Sequence, residues 1–151
     1  MDQLPTLNLS SAPWLIGGDF NCMLASNQKY GGCPLSLKDI APLNSALNQS
    51  NLIPVNSFGS VFTWSNSSRN GNLTLCKLDH IFVNIPFLQI WPKPFYDTIQ
   101  PTLSDHCPLI FYWGIDENRG GNLLFNFLIF GLSMWIILIF LNRFGGCNLE
   151  R

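Results

Sequence analysis

The segment LSDHCPL at residues 103–109 places an acid and an imidazole side by side, immediately before the apolar run LIFYW at residues 109–113. This run is rich in β-branched and aromatic residues, which predicts a buried strand. Pro108 disfavours helix in the residue before it, so the chain can turn as it enters the strand. Asp105 and His106 can then reach one pocket. An aspartate can hold a divalent cation there, and a histidine can move a proton near neutral pH.

Length and composition limit the possible functions. The 151 residues are enough for one small domain with a real core, and 47% of them are hydrophobic. Only 11% are charged and the net charge is −1, whereas a nucleic-acid-binding domain usually has a basic excess. The five cysteines include no CxxC pair, which argues against a zinc site. Their odd number and the lack of an N-terminal signal peptide favour a reducing compartment, nuclear or cytoplasmic.

The chain N-terminal to this segment alternates between predicted strands and one predicted helix. Trp14 to Gly18 is a strand that delivers Asp19 and Asn21 at its carboxyl end, where α/β sheets place their sites. Apolar residues at helical spacing predict a helix from Leu37 to Gln49, with Ser36 as its N-cap and Asp39 in the capping-box position. Further strands are predicted at residues 52–55, 61–64, 75–83 and, as an edge strand in a proline-rich irregular region 87–101, at 96–99.

A hairpin and several charged side chains complete this part of the chain. Asn70-Gly71 predicts a tight turn between the strands that flank residues 65–73. Lys77 and His80 are interpreted as solvated residues of the return strand.

Three polar clusters are predicted at strand ends: Asp19 with Asn21, Asp79 alone, and Asp105 with His106. Phosphodiester hydrolysis needs such a set of side chains. An imidazole or carboxylate activates water, a metal neutralises charge on the phosphoryl oxygens, and an amide stabilises the developing charge. A second acid orients the imidazole and fixes its tautomer.

Four motifs occur in order: GDFN at residues 18–21, FTW at 62–64, KLDH at 77–80 and SDHCP at 104–108. Over residues 13–113 the chain resembles the endonuclease/exonuclease/phosphatase superfamily, and specifically the endonuclease domain of plant LINE-type (non-LTR) retrotransposons. The resemblance implies an α/β (α+β) fold like that of DNase I, in which a two-sheet β-sandwich is flanked by helices. It also implies DNA as the partner, bound weakly at best by this chain.

The resemblance also implies roles for individual residues. His106 would be the base that activates water, Asp79 would orient it, Asp19 would assist proton transfer and Asn21 would position the phosphate. The expected ion is Mg²⁺, held by Asp19, Asn21, Asp105 and His106. The hairpin loop that touches DNA in related nucleases would here include Thr63, Trp64 and Arg69. Trp64 is equally well explained as a core aromatic, and Arg69 as a solvated residue at the hairpin tip.

The sequence departs from the family pattern at its start. The family's earlier strands carry an Asn, a metal-binding Glu and a catalytic Tyr, but only eighteen residues precede Asp19. The chain is therefore expected to be the C-terminal half of the domain, with unpaired sheet edges and an exposed apolar face. Little or no catalysis is expected.

The C-terminal part of the chain is unlike the rest. Residues 1–116 are assigned to the truncated domain, 117–122 to a linker, 123–141 to an apolar helix and 142–151 to a tail. Leu123 to Leu141 contains nineteen residues without a charge. At about 1.5 Å per residue a helix of this length reaches nearly the ~30 Å thickness of a bilayer core. It is a candidate transmembrane segment, which would place the protein in a membrane. An alternative is that residues from about Gly121 onward are a frame-shifted reading of a decayed element.

Three functional hypotheses follow from the sequence. The first is a remnant of a Mg²⁺-dependent phosphodiesterase, a DNA endonuclease, from a retrotransposon, and it is expected to be inactive. The second is a non-enzymatic single-pass membrane protein with a small α/β domain. The third, a soluble remnant that binds nucleic acid weakly through its hairpin, is disfavoured by the net charge of −1.

Overall fold

The computed structural model describes residues 12–101, 104–116, 122–129 and 136–139. Within these ranges the chain forms strands and two α-helices, together with a short 3-10 helix at Ser26–Gln28. The helices are α1 (Leu37–Gln49) and α2 (Ile85–Ile90). The strands are β1 (Trp14–Asp19), β2 (Lys29–Tyr30), β3 (Leu52–Pro54), β4 (Asn56–Gly59), β5 (Trp64–Ser65), β6 (Leu75–Cys76), β7 (Asp79–Asn84), β8 (Phe95–Thr98), β9 (Leu109–Asp116), β10 (Asn122–Ile129) and β11 (Ile136–Ile139).

The strands form three sheets. The first sheet has the order β11-β1-β7-β3, the second β10-β9-β8-β4, and the small third sheet β2-β6-β5. All the strand pairs are antiparallel except β4 and β8, which run parallel. The mixed α/β fold agrees with the predicted partial DNase I-like sandwich.

Two hydrophobic clusters show how the layers stack. Side chains alternate between the faces of a strand, so β1 can serve a cluster on each face. Leu15 belongs to the cluster between the first and second sheets, with Ile81, Val83, Tyr96, Leu109 and Phe111. Trp14 and Ile16 belong to the cluster on the other face, with Phe82 and with Leu43 and Leu47 of α1. The order of layers is therefore α1, first sheet, second sheet.

Helix α1 has the predicted bounds and the predicted start. The Asp39 carboxylate accepts hydrogen bonds from the Ser36 N–H at 2.8 Å and from the Ser36 hydroxyl at 2.7 Å. This contact ties the first turn to the residue that precedes it. The helix then presents Leu43 and Leu47 to the first sheet, as the apolar spacing predicted.

Other elements differ from their predictions. The strand predicted at 75–83 is divided between β6 and β7, which belong to different sheets. The region predicted to be irregular contains α2, whose Asn84 N-cap accepts from the Phe87 N–H. Strand β8 lies inside the second sheet between β9 and β4 rather than at its edge. Each of these errors concerns a short apolar segment, whose type the local pattern cannot decide.

The apolar C-terminal segment also differs from its prediction. Its described residues, 123–129 and 136–139, form strands instead of a helix. Residue 122 of the predicted linker belongs to the same strand as 123–129, while residues 117–121, 130–135 and 140–151 lie outside the described residues. Strand β10 pairs along β9 and β11 pairs along β1, so both sheets use this segment at an edge that was expected to be unpaired. A segment rich in Phe, Ile and Leu suits a strand as well as a helix, and the open edges decide between them. Neither α1 nor α2 has the length and apolar character needed to cross a membrane.

Candidate active site

The register of the first sheet brings two aspartates together. Asp19 is the last residue of β1 and Asp79 is the first of β7, and the two are Cα partners in the antiparallel ladder. Both are buried, at 6% and 1% exposure. Two carboxylates so enclosed require a compensating partner, because ionised groups are costly to remove from water.

That partner comes from the segment before β9. The His106 Nδ1 lies 2.9 Å from Oδ2 of Asp79, and the His106 Nε2 lies 4.0 Å from Oδ2 of Asp19. An Nδ1–H that donates to Asp79 leaves the lone pair on Nε2, which faces Asp19. The acid that contacts the imidazole is thus the predicted one, with Asp79 at the start of β7 and His106 in the segment before β9.

The Asp79 carboxyl has an unusual environment. Burial raises its pKa, and the Thr63 hydroxyl and His106 partly oppose this shift. The nearby Asp19 carboxylate raises the Asp79 pKa further. Among the described atoms, Oδ1 of Asp79 is buried without a hydrogen-bond partner. Such an orphan acceptor is rare and indicates a place where a cation or a donor can bind.

Thr63, which was expected to contact DNA, lies in the interior of the protein. Its side chain is fully buried. The hydroxyl oxygen accepts from the backbone N–H groups of Leu78 and Asp79, each at 3.0 Å. Thr63 therefore fixes the backbone that carries Asp79, at the point where the chain passes from β6 to β7.

Asn21 lies beside Asp19, where the sequence placed it. Its backbone N–H donates to Oδ1 of Asp19 at 2.8 Å. Its φ of 50° is in the left-handed region, which asparagine tolerates better than most residues. The side chain is exposed next to the two buried acids, so the amide is available to a ligand.

A group of side chains that could hold a metal ion in the described part of the chain contains Asp19, Asp79 and His106, whose ligand atoms lie within 4.8 Å of one another. The sequence proposed Asp19, Asn21, Asp105 and His106 instead. Asp79 joins the group, while Asp105 is exposed and its Oδ2 accepts from the indole Nε1–H of Trp64 at 2.8 Å. This hydrogen bond lowers the pKa of Asp105.

The other two residues predicted to contact DNA, Trp64 and Arg69, lie in the hairpin formed by β5 and β6. Trp64 is half-buried at its base, and Arg69 is exposed in the connecting loop. Asn66 organises that loop: its Oδ1 accepts from the N–H groups of Ser68 and Thr74, and its Nδ2 donates to the carbonyl of Asn72. Arg69 therefore lies in a loop held by side-chain hydrogen bonds as well as by the two strands.

Lys77 and His80 were expected to be solvated, and both expectations are wrong. The Lys77 ammonium donates to the Ser57 hydroxyl at 2.7 Å and lies 5.6 Å from the centre of the Tyr96 ring, and burial lowers the lysine pKa. His80 is 2% exposed, and burial lowers its pKa to about 4. Strand β7 is buried on both faces, so alternation along it does not separate inward from outward positions.

An acid–imidazole pair that faces a second acid, near strand ends in a mixed α/β fold, is compatible with the class of phosphoester hydrolases that work with a divalent metal. The chain belongs to the Endonuclease/Exonuclease/phosphatase family, since the model of that family matches residues 3–106. The match includes Asp19, Asn21, Asp79, Asp105 and His106. A comparison with curated proteins finds no match.

Proposed function

We propose that the chain carries the base side of a metal-dependent phosphodiesterase site whose substrate is DNA. The observation that supports this most is the alignment of Asp79, His106 and Asp19, with Nδ1 of the imidazole on one acid and Nε2 toward the other. This arrangement holds one tautomer and directs its lone pair at the place where a nucleophile would lie. It is the arrangement that proton abstraction from water requires.

The proposed reaction gives His106, Asp79 and Asn21 separate roles. Nε2 of His106 takes a proton from water as the water oxygen forms a bond to phosphorus. The bond from phosphorus to the leaving oxygen breaks, that oxygen takes a proton from solvent water, and the imidazolium later returns its proton to solvent. Asp79 stabilises the imidazolium that forms, since its buried carboxylate accepts from Nδ1 at 2.9 Å. The exposed amide of Asn21 is positioned to hold a phosphoryl oxygen.

The side chains present fit a hard divalent cation. Mg²⁺ is usually held by one or two carboxylates together with water and substrate oxygens. Asp19 supplies one carboxylate, and the orphan Oδ1 of Asp79 supplies a second oxygen donor close to it. When bound there, the cation would neutralise charge on the phosphoryl group.

We further propose that the chain derives from a LINE-type retrotransposon endonuclease and that these 151 residues hydrolyse DNA weakly or not at all. The four ordered motifs support the origin. Low activity is supported by the net charge of −1, which gives the chain no basic excess for binding DNA. The reading frame at the locus tests the origin of the residues after Gly121. Retroelement codons in a shifted frame would support it, and their absence would exclude it.

Cation binding and nicking together test the proposed site. Calorimetry with Mg²⁺, using the 151-residue chain, should show binding that Asp19→Asn weakens by about tenfold or more. Asp97→Asn removes one carboxylate outside the metal-binding group and should leave the affinity unchanged. An affinity that is equal in both variants would contradict a cation at Asp19.

The activity itself is measured on supercoiled plasmid in Mg²⁺. We expect the chain to nick no faster than His106→Ala. Nicking that disappears in His106→Ala would overturn the proposed low activity and would establish His106 as the base.

A further inference from the structure

A set of contacts outside the acid–imidazole pair joins the hairpin to the segment that carries His106. The indole Nε1–H of Trp64 donates to Oδ2 of Asp105 at 2.8 Å. The backbone N–H of Ser65 donates to the Asp105 carbonyl oxygen at 3.1 Å, and Trp64 forms an antiparallel bridge with His106. We call this set of contacts, made by Trp64 and Ser65 to Asp105 and His106, the Trp64–Asp105 clasp.

The clasp acts on a turn whose first residues are exposed. Ser104 and Asp105 are exposed, and β9 begins only at Leu109. Other contacts also hold this turn: the Cys107 N–H donates to the Thr63 carbonyl at 2.7 Å, the Ile99 N–H donates to the Pro108 carbonyl at 2.9 Å, and the His106 N–H donates to the Ser104 hydroxyl at 3.0 Å. Within the clasp, the hydrogen bond from Trp64 to the Asp105 carboxylate joins this turn to the hairpin through a charged acceptor.

Two adjacent residues, Thr63 and Trp64, thereby restrain both members of the acid–imidazole pair. Thr63 holds the backbone of Asp79 through its hydroxyl, and the next residue, Trp64, holds the backbone around His106. The 2.9 Å contact between His106 and Asp79 therefore lies between two segments that adjacent residues of the hairpin restrain. A small displacement of the His106 segment would break that contact, because hydrogen bonds weaken steeply with distance and angle.

We infer that Trp64 and Asp105 are positioning residues that hold His106 against Asp79, and that the Asp105 carboxylate serves this clasp instead of binding the cation. This inference rests on the proposed function for its catalytic meaning, but the hydrogen bond that it concerns can be measured independently. It assigns the one polar side-chain group of Trp64 to a contact within the protein rather than to DNA.

Three variants of the full chain separate the clasp from cation binding. Trp64→Phe keeps an aromatic ring and loses the N–H. Asp105→Ala loses the acceptor, and Asp105→Asn keeps an acceptor oxygen while losing the charge. The readout is the Nδ1–H proton of His106 in ¹⁵N-labelled protein, whose exchange with solvent reports the bond to Asp79.

We expect Trp64→Phe and Asp105→Ala each to speed this exchange by about tenfold or more, and Asp105→Asn to stay close to the unmodified chain. Trp64→Phe loses indole volume as well as the N–H, whereas Asp105→Ala leaves the indole intact. Equally fast exchange in these two variants would therefore identify the lost hydrogen bond, and not the lost volume, as the cause. Asp105→Asn should also bind Mg²⁺ with unchanged affinity. Unchanged exchange in Trp64→Phe would overturn the clasp.

Two further outcomes are distinguishable. A loss of Mg²⁺ affinity in Asp105→Asn, with the Nδ1–H exchange preserved, would make Asp105 a cation ligand and would also overturn the inference. Absence of Mg²⁺ binding by the unmodified chain would contradict the proposed function alone, because the exchange measurement needs no metal.

Discussion

The two histidines of the chain lie close to Asp79 but differ in what burial does to them. His106 contacts two acids, Asp19 and Asp79. His80 follows Asp79 in β7, so its side chain lies on the other face of that strand from Asp79. Its ring stacks on Phe82 at a centroid distance of 5.6 Å, and its Nε2 lies 3.0 Å from the Cys22 carbonyl oxygen. His80 thus fills the core between the first sheet and α1 as a neutral donor. Protonation there would place a charge among aromatic rings.

The burial of His80 predicts an acid-sensitive stability. Its pKa falls from 6.5 to about 4 in the folded chain, so between these values the unfolded state binds more protons. The free energy of unfolding should therefore fall as the pH decreases from 6.5 to 4, by up to about 3 kcal/mol from this residue. Urea unfolding at several pH values, for the chain and for His80→Gln, isolates the effect. Parallel curves for the two proteins would contradict it.

The sequence predicted the site best where chemistry alone constrains a residue. Asp19, Asp79 and His106 were all expected at the site, and the structure brings them together. Thr63 was expected to contact DNA, whereas its hydroxyl accepts from two backbone N–H groups. In the sequence, a threonine with this role cannot be told from any other polar residue of a hairpin. Asp105 illustrates the same difficulty, since its contact with Trp64 joins residues that are distant in the chain.

At the scale of elements, Asn84 joins three of them. It ends β7 and caps α2, where its Oδ1 accepts from the N–H groups of Phe87 and Trp14 and its Nδ2 donates to the Ala12 carbonyl. Asn84 is 5% exposed, so water cannot replace these bonds. Helix α2 was not predicted because six residues that include a proline carry little helical periodicity. Its cap, rather than its propensity, determines where it starts.

This junction predicts a large effect of a small substitution. Asn84→Ala removes three hydrogen bonds and leaves buried groups unpaired, which should lower the free energy of unfolding by about 2–4 kcal/mol. Asn48→Ala, at an exposed position of α1, makes the same substitution without such contacts and should change stability by less than about 0.5 kcal/mol. Urea unfolding of both variants makes the comparison. A similar small change in both would show that the cap is not essential to this region.

For the whole molecule, the positions of β10 and β11 explain why the described parts of the apolar segment are strands and not the predicted helix. A run of nineteen uncharged residues has the length of a membrane helix, and only the sheets show that edges are open to receive it. Strand β11 pairs with β1 from Trp14 to Gly17, and β10 pairs with β9 from Leu109 to Asp116. The fold class was predictable from ordered motifs, whereas strand pairing depends on partners far along the chain.

Shortening the chain in steps tests what these strands contribute. A chain that ends at Ile139 keeps both, one that ends at Ile129 loses β11, and one that ends at Asp116 loses β10 as well. The first should unfold at the urea midpoint of the full chain. The second should unfold earlier because β1 gains an open edge, and the third should be least stable and should self-associate through β9 in sedimentation. Equal midpoints in all three would mean that the first two sheets do not need β10 and β11 for their stability. A stepwise decrease would mean that these apolar residues serve the fold of the domain that carries Asp19, Asp79 and His106.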